Sequence, residues 1–350
     1  MSMMTPLITV KFVTRLQASE WPKYFPGHEF VWKSCRFTFD REARAYDWLV
    51  VYDELAPAAG QTQKNAEEVL ACPPANTVLI TTEPSSIKVY GRHYTQQFGH
   101  VLTTQPAWAL PHAQRHWQQA ANHWFYGGDP ANPMTHERLL AGPGPKSGMA
   151  SMVGSGKAQR HTMHATRFAF MQRVQALMPE LEVFGRGYRP MADKAEALDP
   201  YRYHICLENH LSAHHWTEKL ADAFLGRCLP FYAGAPDAAD YFPEGSFVRI
   251  DMKDPEGAVK LLRQAIAEDW YSQRLPLIEE ARRRVVQDYH LFAVIEGIVA
   301  ASSVAASPAS SGTVIYSRHA LRRRSLWVAL YHGLEKLRLR LHSILDRTVA

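Results

Sequence analysis

The chain has no run of eighteen apolar residues, so its sequence predicts no membrane-spanning helix. Its first residues, MSMMTPLITVKFVTRL, lack a basic start followed by a long apolar stretch, and no secretory leader is expected. The cysteines Cys35, Cys72, Cys206 and Cys228 form no Cys-x-x-Cys pair and sit in apolar or loop contexts, which predicts buried, reduced thiols. Together these point to a cytoplasmic protein. Zinc spacing is missing as well: His204, His210, His214 and His215 crowd one segment, but no cysteine pair accompanies them, so no metal ligand is assigned there. A basic body is the last absence. The net charge of +5 is concentrated in a tail where Arg318, Arg322, Arg323, Arg324, Lys336, Arg338, Arg340 and Arg347 face only Glu335 and Asp346. The rest is close to neutral, which argues against a nucleic-acid-binding body.

What remains is an ordinary globular composition, 46% hydrophobic and 21% charged, in a chain of 350 residues that can build two cores. Strands are expected at 8–13, 48–52, 78–81 and 100–103, with helices at 61–70 and 87–97. From 127 to 157 the chain turns rich in Gly, Pro and Ser, and a linker is read there, with a domain boundary near residue 150. The second half repeats the alternation, with helices at 164–177, 255–267, 272–287 and 289–300 and strands at 181–184, 203–207, 229–232 and 247–250. Such alternation predicts two doubly wound α/β domains, 1–150 and 151–301, facing a central cleft. A flexible linker is expected at 302–312 and a basic amphipathic tail at 313–350.

The most informative stretch is YRYHICLENHLSAHHWTEKLADAFLGRCLPFYAGAPDAADYFPEGSF, from Tyr201 to Phe247. A buried strand ends at Glu208 and Asn209, and a helix then opens at Thr217, a natural N-cap, with Glu218 and Lys219 in its first turn. Polar residues just past a strand, beside a helix N-terminus, are placed for an anionic ligand. An ordinary solvated helix start is the bland alternative. Arg167, beside a core-facing stripe in RFAFMQRVQAL, suits a diphosphate by its forked charge, although a solvated helix arginine is the commoner case. Glu83 follows an apolar strand and precedes Pro84, a position from which a carboxylate can act as a general base or merely cap the strand end. Gly154-Ser155-Gly156-Lys157 looks like the end of a phosphate loop, but Ser151 stands where the first glycine is needed. Ala158 then offers no hydroxyl to magnesium.

The run ICLENHLSAHHWTEKLADAFLGRCLPFYAGAPDAADYFPEGSF resembles the signature of the α-1,3/4-fucosyltransferases, glycosyltransferase family 10, of bacterial type. The resemblance implies a GT-B fold whose N-terminal domain takes the acceptor and whose C-terminal domain holds GDP-fucose. It implies that Lys219 contacts the diphosphate and that Glu218 holds the ribose or stabilises the fucosyl centre. Asn209, Arg167 and the residue at His215 would complete the donor site, with Glu83 as base. The sequence departs from the family where His215-Trp216 replaces an aromatic pair and Ala233 replaces a tryptophan. The expected reaction is an inverting transfer of fucose from GDP-β-L-fucose to a glycan hydroxyl, in lipopolysaccharide, O-antigen or another surface glycan. No obligatory metal is expected, and a divalent cation would at most stimulate. Another sugar nucleotide on the same fold, or a silent nucleotide- or glycan-binding protein, are the competing readings.

In the tail, Trp327, Leu330, Leu334, Leu337, Leu341 and Ile344 recur at heptad spacing between arginines. Two readings stay open: a coiled coil or packing helix, as in a homodimer, or an amphipathic helix through 318–347 lying on the inner face of the cytoplasmic membrane.

Overall fold

The computed structural model describes residues 6–154, 163–302 and 312–349. In chain order it begins with Ile8–Val13 (β1), Val31–Trp32 (β2), Cys35–Thr38 (β3), Trp48–Tyr52 (β4), Glu67–Val69 (β5) and Thr77–Ile80 (β6). Arg92–Thr95 (α1), His100–Thr103 (β7), Arg115–Trp117 (β8), His136–Ala141 (α2) and Gly148–Val153 (β9) follow. Next come His164–Leu177 (α3), Glu182–Phe184 (β10), Tyr201–Leu207 (β11), Glu218–Leu225 (α4), Leu229–Ala233 (β12), Ala238–Tyr241 (α5) and Val248–Arg249 (β13). The chain closes with Pro255–Ala267 (α6), Trp270–Gln287 (α7), Leu291–Ala301 (α8), Val314–Tyr316 (β14), Arg318–Arg324 (α9) and Leu326–Val349 (α10).

These elements fall into two compact units, one of Met1–Glu20, Phe25–Ala120 and Ile295–Ala350, the other of Trp21–Tyr24 and Ala121–Val294. Among the described residues, the first unit holds a seven-stranded sheet in the order β2-β3-β1-β4-β6-β7-β8. Every pairing in it is parallel except β2 with β3. Parallel strands covered on both faces should read as unbroken apolar runs, and WLVVY of β4 and TVLI of β6 are buried at every position. Leu49 and Val51 of β4, Leu79 of β6 and Val101 of β7 pack with Tyr94 and Phe98 into one core. The second unit has a wholly parallel five-stranded sheet in the order β10-β9-β11-β12-β13. Two α/β units with parallel sheets are what the expected GT-B class requires of the chain.

Three expectations change. The helix read at 61–70 is instead a turn followed by β5, which pairs antiparallel with β14 from the far end of the chain. Asn65 bends the chain by accepting from the Thr62 backbone at 2.6 Å, and a partner more than two hundred residues away cannot be seen in a local pattern. The helix read at 87–97 shrinks to α1 because Gly91 has φ +88° and breaks the turn before it. The units also do not divide near residue 150. Although its surroundings are rich in Gly and Pro, β9 is an inner strand whose Ala150 and Met152 are buried. Apart from its ends, the linker expected at 302–312 lies outside the described residues, as does the phosphate-loop look-alike beyond Gly154.

The basic tail belongs to the first unit. Beyond the β5–β14 pairing, Ile315 enters the core, and Tyr316 and Gln97 exchange hydrogen bonds of 2.9 and 3.0 Å. The Arg318 guanidinium pairs with the Glu54 carboxylate. α10 lies close over Gly91, where an added Cβ would sit 2.8 Å from His332 Nδ1.

Candidate functional site

The second unit builds its polar cluster at the carboxyl ends of β11 and β12, where α4 starts. The Glu208 backbone N–H still bonds to Ala233 O at 2.8 Å, so the strand pairing runs straight into the cluster. The Glu208 side chain is fully buried. Its carboxylate accepts from the Thr217 backbone N–H at 2.8 Å and from the Thr217 hydroxyl at 2.8 and 2.9 Å. Thr217 also accepts from the Lys219 N–H at 3.3 Å, the N-cap expected from the sequence. A buried carboxylate therefore locks the residue that caps α4, and this fixes where the free N–H groups of the first turn point.

Lys219 is held from three sides, by Glu218 at 2.8 Å, Thr217 Oγ1 at 3.1 Å and Glu208 at 3.4 Å. Burial pushes the Glu218 carboxyl up, but Lys219 and Lys194 more than offset this and hold it down at about 2. For Lys219 burial works against the charge, yet Glu218 and Glu208 raise it above the ordinary lysine value. Both groups are therefore charged across the physiological range.

Arg167, on α3, reaches the same cluster. Its Nη1 donates to Asn209 Oδ1, its buried Nε has no hydrogen-bond partner among the described residues, and Glu208 and Glu218 oppose the lowering that burial imposes on its pKa. A buried N–H left without an acceptor is costly unless one arrives. His215 is buried beside Lys219 and Glu218. Burial, then Lys219, lower its pKa to about 4, so at neutral pH it is an uncharged imidazole. The structure thus gathers Arg167, Asn209, His215, Glu218 and Lys219 around the start of α4.

His210 packs edge-on against His215, with ring centroids 5.5 Å apart, while His214 and His204 have separate tasks. His214 contacts Asp237 at 2.8 Å and the Tyr241 hydroxyl at 2.6 Å, and His204 is paired in the core with Ser151 at 2.7 Å.

Lys194 and Asp222 escaped the sequence reading. They form a buried ion pair of 2.9 Å behind α4, one turn below Glu218, and Asp222 also accepts from the Tyr126 N–H at 3.3 Å. The available signal was an aspartate inside the apolar run of KLADAFL, since an acid on a buried helix face requires a partner.

Glu83 lies in the first unit, exposed, past the end of β6. Its loop is fixed from below. Gln105 Nε2 donates to Glu83 O at 2.8 Å and to Lys88 O at 3.1 Å. The Thr82 N–H donates to the Tyr90 hydroxyl at 3.0 Å, and the Thr82 and Tyr90 hydroxyls donate to Asp53 Oδ1 at 3.0 and 2.5 Å. Burial raises the Asp53 carboxyl, but Lys88 at 2.7 Å and these hydroxyls bring it below the usual value.

No family model matches the chain. The α-(1,3)-fucosyltransferase FucT of Helicobacter pylori is 33% identical to it over 78 residues, 22% of this chain and 16% of that protein. The matched stretch is thus a small part of that relative. A crystal structure of an α1,3-fucosyltransferase aligns with a TM-score of 0.49 at 16% identity, covering 83% of this chain and 93% of the other. One of an α1,3-fucosyltransferase with GDP-fucose aligns with a TM-score of 0.45 at the same identity, over 83% and 94%.

Proposed function

We propose that this chain, a member of the α-1,3-fucosyltransferase family (glycosyltransferase family 10), moves L-fucose from GDP-β-L-fucose to a hydroxyl of a glycan acceptor with inversion. The observation that carries this reading is the pair of cations, Lys219 and Arg167, set at the N-terminus of α4, with a buried Nε on Arg167 that has no partner among the described residues. Breaking the bond between the anomeric carbon and the diphosphate oxygen leaves charge on the phosphates. Two cations and the N–H groups of a capped helix stabilise that charge most where it grows. Glu218, kept ionised, suits a ribose hydroxyl or the positive charge developing on the fucosyl ring. Neutral His215 offers a hydrogen bond without adding charge. Asn209 fixes the Arg167 fork.

Glu83 is the base. An exposed carboxylate on a pinned loop can take the proton of the attacking acceptor hydroxyl as the new glycosidic bond forms on the opposite face of the anomeric carbon. The two cations stand where another site would use a divalent ion, and turnover is expected to survive chelation by EDTA. The acceptor we favour is a surface glycan such as lipopolysaccharide or O-antigen.

The seam on α10 favours a membrane surface. Trp327, Leu330, Leu334, Leu337 and Leu341 are all exposed, while His332 and Leu339 face the unit. An apolar stripe between arginines matches an anionic bilayer; the side chain of Ile344 lies outside the described residues. No described helix is long and apolar enough to cross a membrane.

The deciding experiment is GDP release by the purified chain, without acceptor, across GDP-fucose, GDP-mannose, UDP-glucose and UDP-galactose. Release from GDP-fucose alone is expected. Release from a different nucleotide sugar would reassign the donor, and none from any would leave a binding protein.

A further inference from the structure

The first unit carries a large, half-exposed aromatic residue that the donor site does not use. Trp117 ends β8, the edge strand of the seven-stranded sheet, and is 45% exposed. It is exposed yet held. The indole N–H donates to Thr104 O at 3.2 Å, and the Arg115 guanidinium lies 5.4 Å from the ring centroid. Arg115 is itself fixed by a 2.8 Å bond from Nη1 to Gln105 O. An indole held by its N–H edge and by a guanidinium over its ring, yet 45% exposed, is a preorganised platform.

Its place in the sheet gives the platform a direction. Trp117 is in register with Thr103 on β7, and Thr103 Oγ1 lies 2.6 Å from Thr81 Oγ1, just past β6. Paired residues of neighbouring parallel strands point to one face, so Trp117, Thr103 and Thr81 share that face. Two strand spacings, roughly 10 Å, separate the Thr81 and Trp117 backbones. Glu83 lies two residues beyond Thr81 at the same end of the sheet. The turn that holds the indole also holds the base loop: Thr104 takes the Trp117 N–H, and Gln105 donates to Glu83 O at 2.8 Å.

We propose that Trp117 is the acceptor platform, stacking the apolar C–H face of a pyranose so that a neighbouring sugar presents its hydroxyl to Glu83. This rests on the assignment of Glu83 as base. The chemistry selects a hexose whose axial C–H groups form a flat face, because those hydrogens carry the partial positive charge that the negative face of an indole attracts. It also calls for an acceptor of at least two sugars, one ring stacked on the indole and a neighbouring one presented to the base.

Two measurements on the full chain test it. With 15N-labelled indoles, the Trp117 signal, assigned by its loss in Trp117→Phe, should shift saturably when lactose, N-acetyllactosamine or cellobiose is added at millimolar concentration. A Trp117 signal that none of the three moves overturns the proposal, whether or not GDP-fucose is the donor. In turnover with the best of these disaccharides, Trp117→Ala should raise the acceptor KM at least tenfold while acceptor-free GDP release stays within twofold. Trp117→Phe should recover most of the loss. An unchanged KM in Trp117→Ala also overturns the platform. Failure of GDP release in the unsubstituted chain would instead count against the donor reading.

Discussion

Thr217 gives both its backbone N–H and its hydroxyl to the buried carboxylate of Glu208, at 2.8 to 2.9 Å, and so ties the end of β11 to the start of α4. Glu208→Gln removes an anion from beside Lys219 and leaves an amide where the hydroxyl donates. The expected cost is about 1–3 kcal/mol of stability, with a parallel loss of GDP affinity because the first turn of α4 loosens. Urea unfolding and calorimetric titration with GDP measure both. A variant that keeps both midpoint and affinity would show that the lock is dispensable.

Lys219→Ala and Glu83→Gln should fail in different ways. The first removes a charge-assisted contact worth about 1.5–3 kcal/mol, so GDP should bind roughly ten- to a hundredfold more weakly. The second leaves every residue around α4 intact and should bind GDP normally, while turnover falls by about a hundredfold or more. Equal GDP affinity in Lys219→Ala would remove it from the phosphate site. Normal turnover in Glu83→Gln would remove Glu83 from the chemistry.

The elements legible in the sequence were those whose signals are local. The apolar runs of β4, β7 and β11 and the starts of α3, α4 and α6 lie within a residue or two of their expected positions. The stretch from Glu208 to Lys219 could be read because strand end, cap and first turn are contiguous. Arg167 joined the cluster only on the strength of the family resemblance, since α3 alone gives no reason to choose it over a solvated arginine. β5 was missed because its partner, β14, lies at the other end of the chain. Lys194 and Asp222 were missed because the aspartate in an apolar helix signals only that a partner is needed, and nothing local identifies that partner as Lys194.

His215 should make the fold sensitive to mild acid. Burial, then Lys219, depress its folded pKa to about 4, below the ordinary value of 6.5, so the unfolded chain binds the proton first. The stability tied to the neutral ring is therefore present above pH 6.5 and is lost as pH falls from there through about 4. The loss is on the order of 2–3 kcal/mol over that window. His204 and His123, both lowered to about 3, also contribute, so the informative quantity is a difference. Urea midpoints of the unsubstituted chain should fall more steeply from pH 6.5 to 4 than those of His215→Gln. Parallel profiles would place the acid sensitivity elsewhere.

The C-terminal segment should matter to the fold of the first unit through one part and to membrane attachment through another. Stopping the chain before Gly312 removes β14 from β5, exposes the core where Ile315 was buried and strips Arg318 from Glu54. Burial of Ile315 alone is worth about 2–3 kcal/mol. A broken, partly buried ion pair adds about as much again, and the sum approaches the whole stability of an ordinary domain. Such a truncation should therefore lower the Tm sharply or prevent folding, which makes it a poor test of membrane binding. Substituting Trp327, Leu330 and Leu334 together by serine changes only exposed positions on α10. It should leave the Tm within a few degrees and abolish co-sedimentation with vesicles of anionic phosphatidylglycerol, while neutral phosphatidylcholine vesicles bind neither form. A truncated chain that melts like the full one would sink the structural claim for β14, and a triple variant that still co-sediments would sink the membrane role of α10.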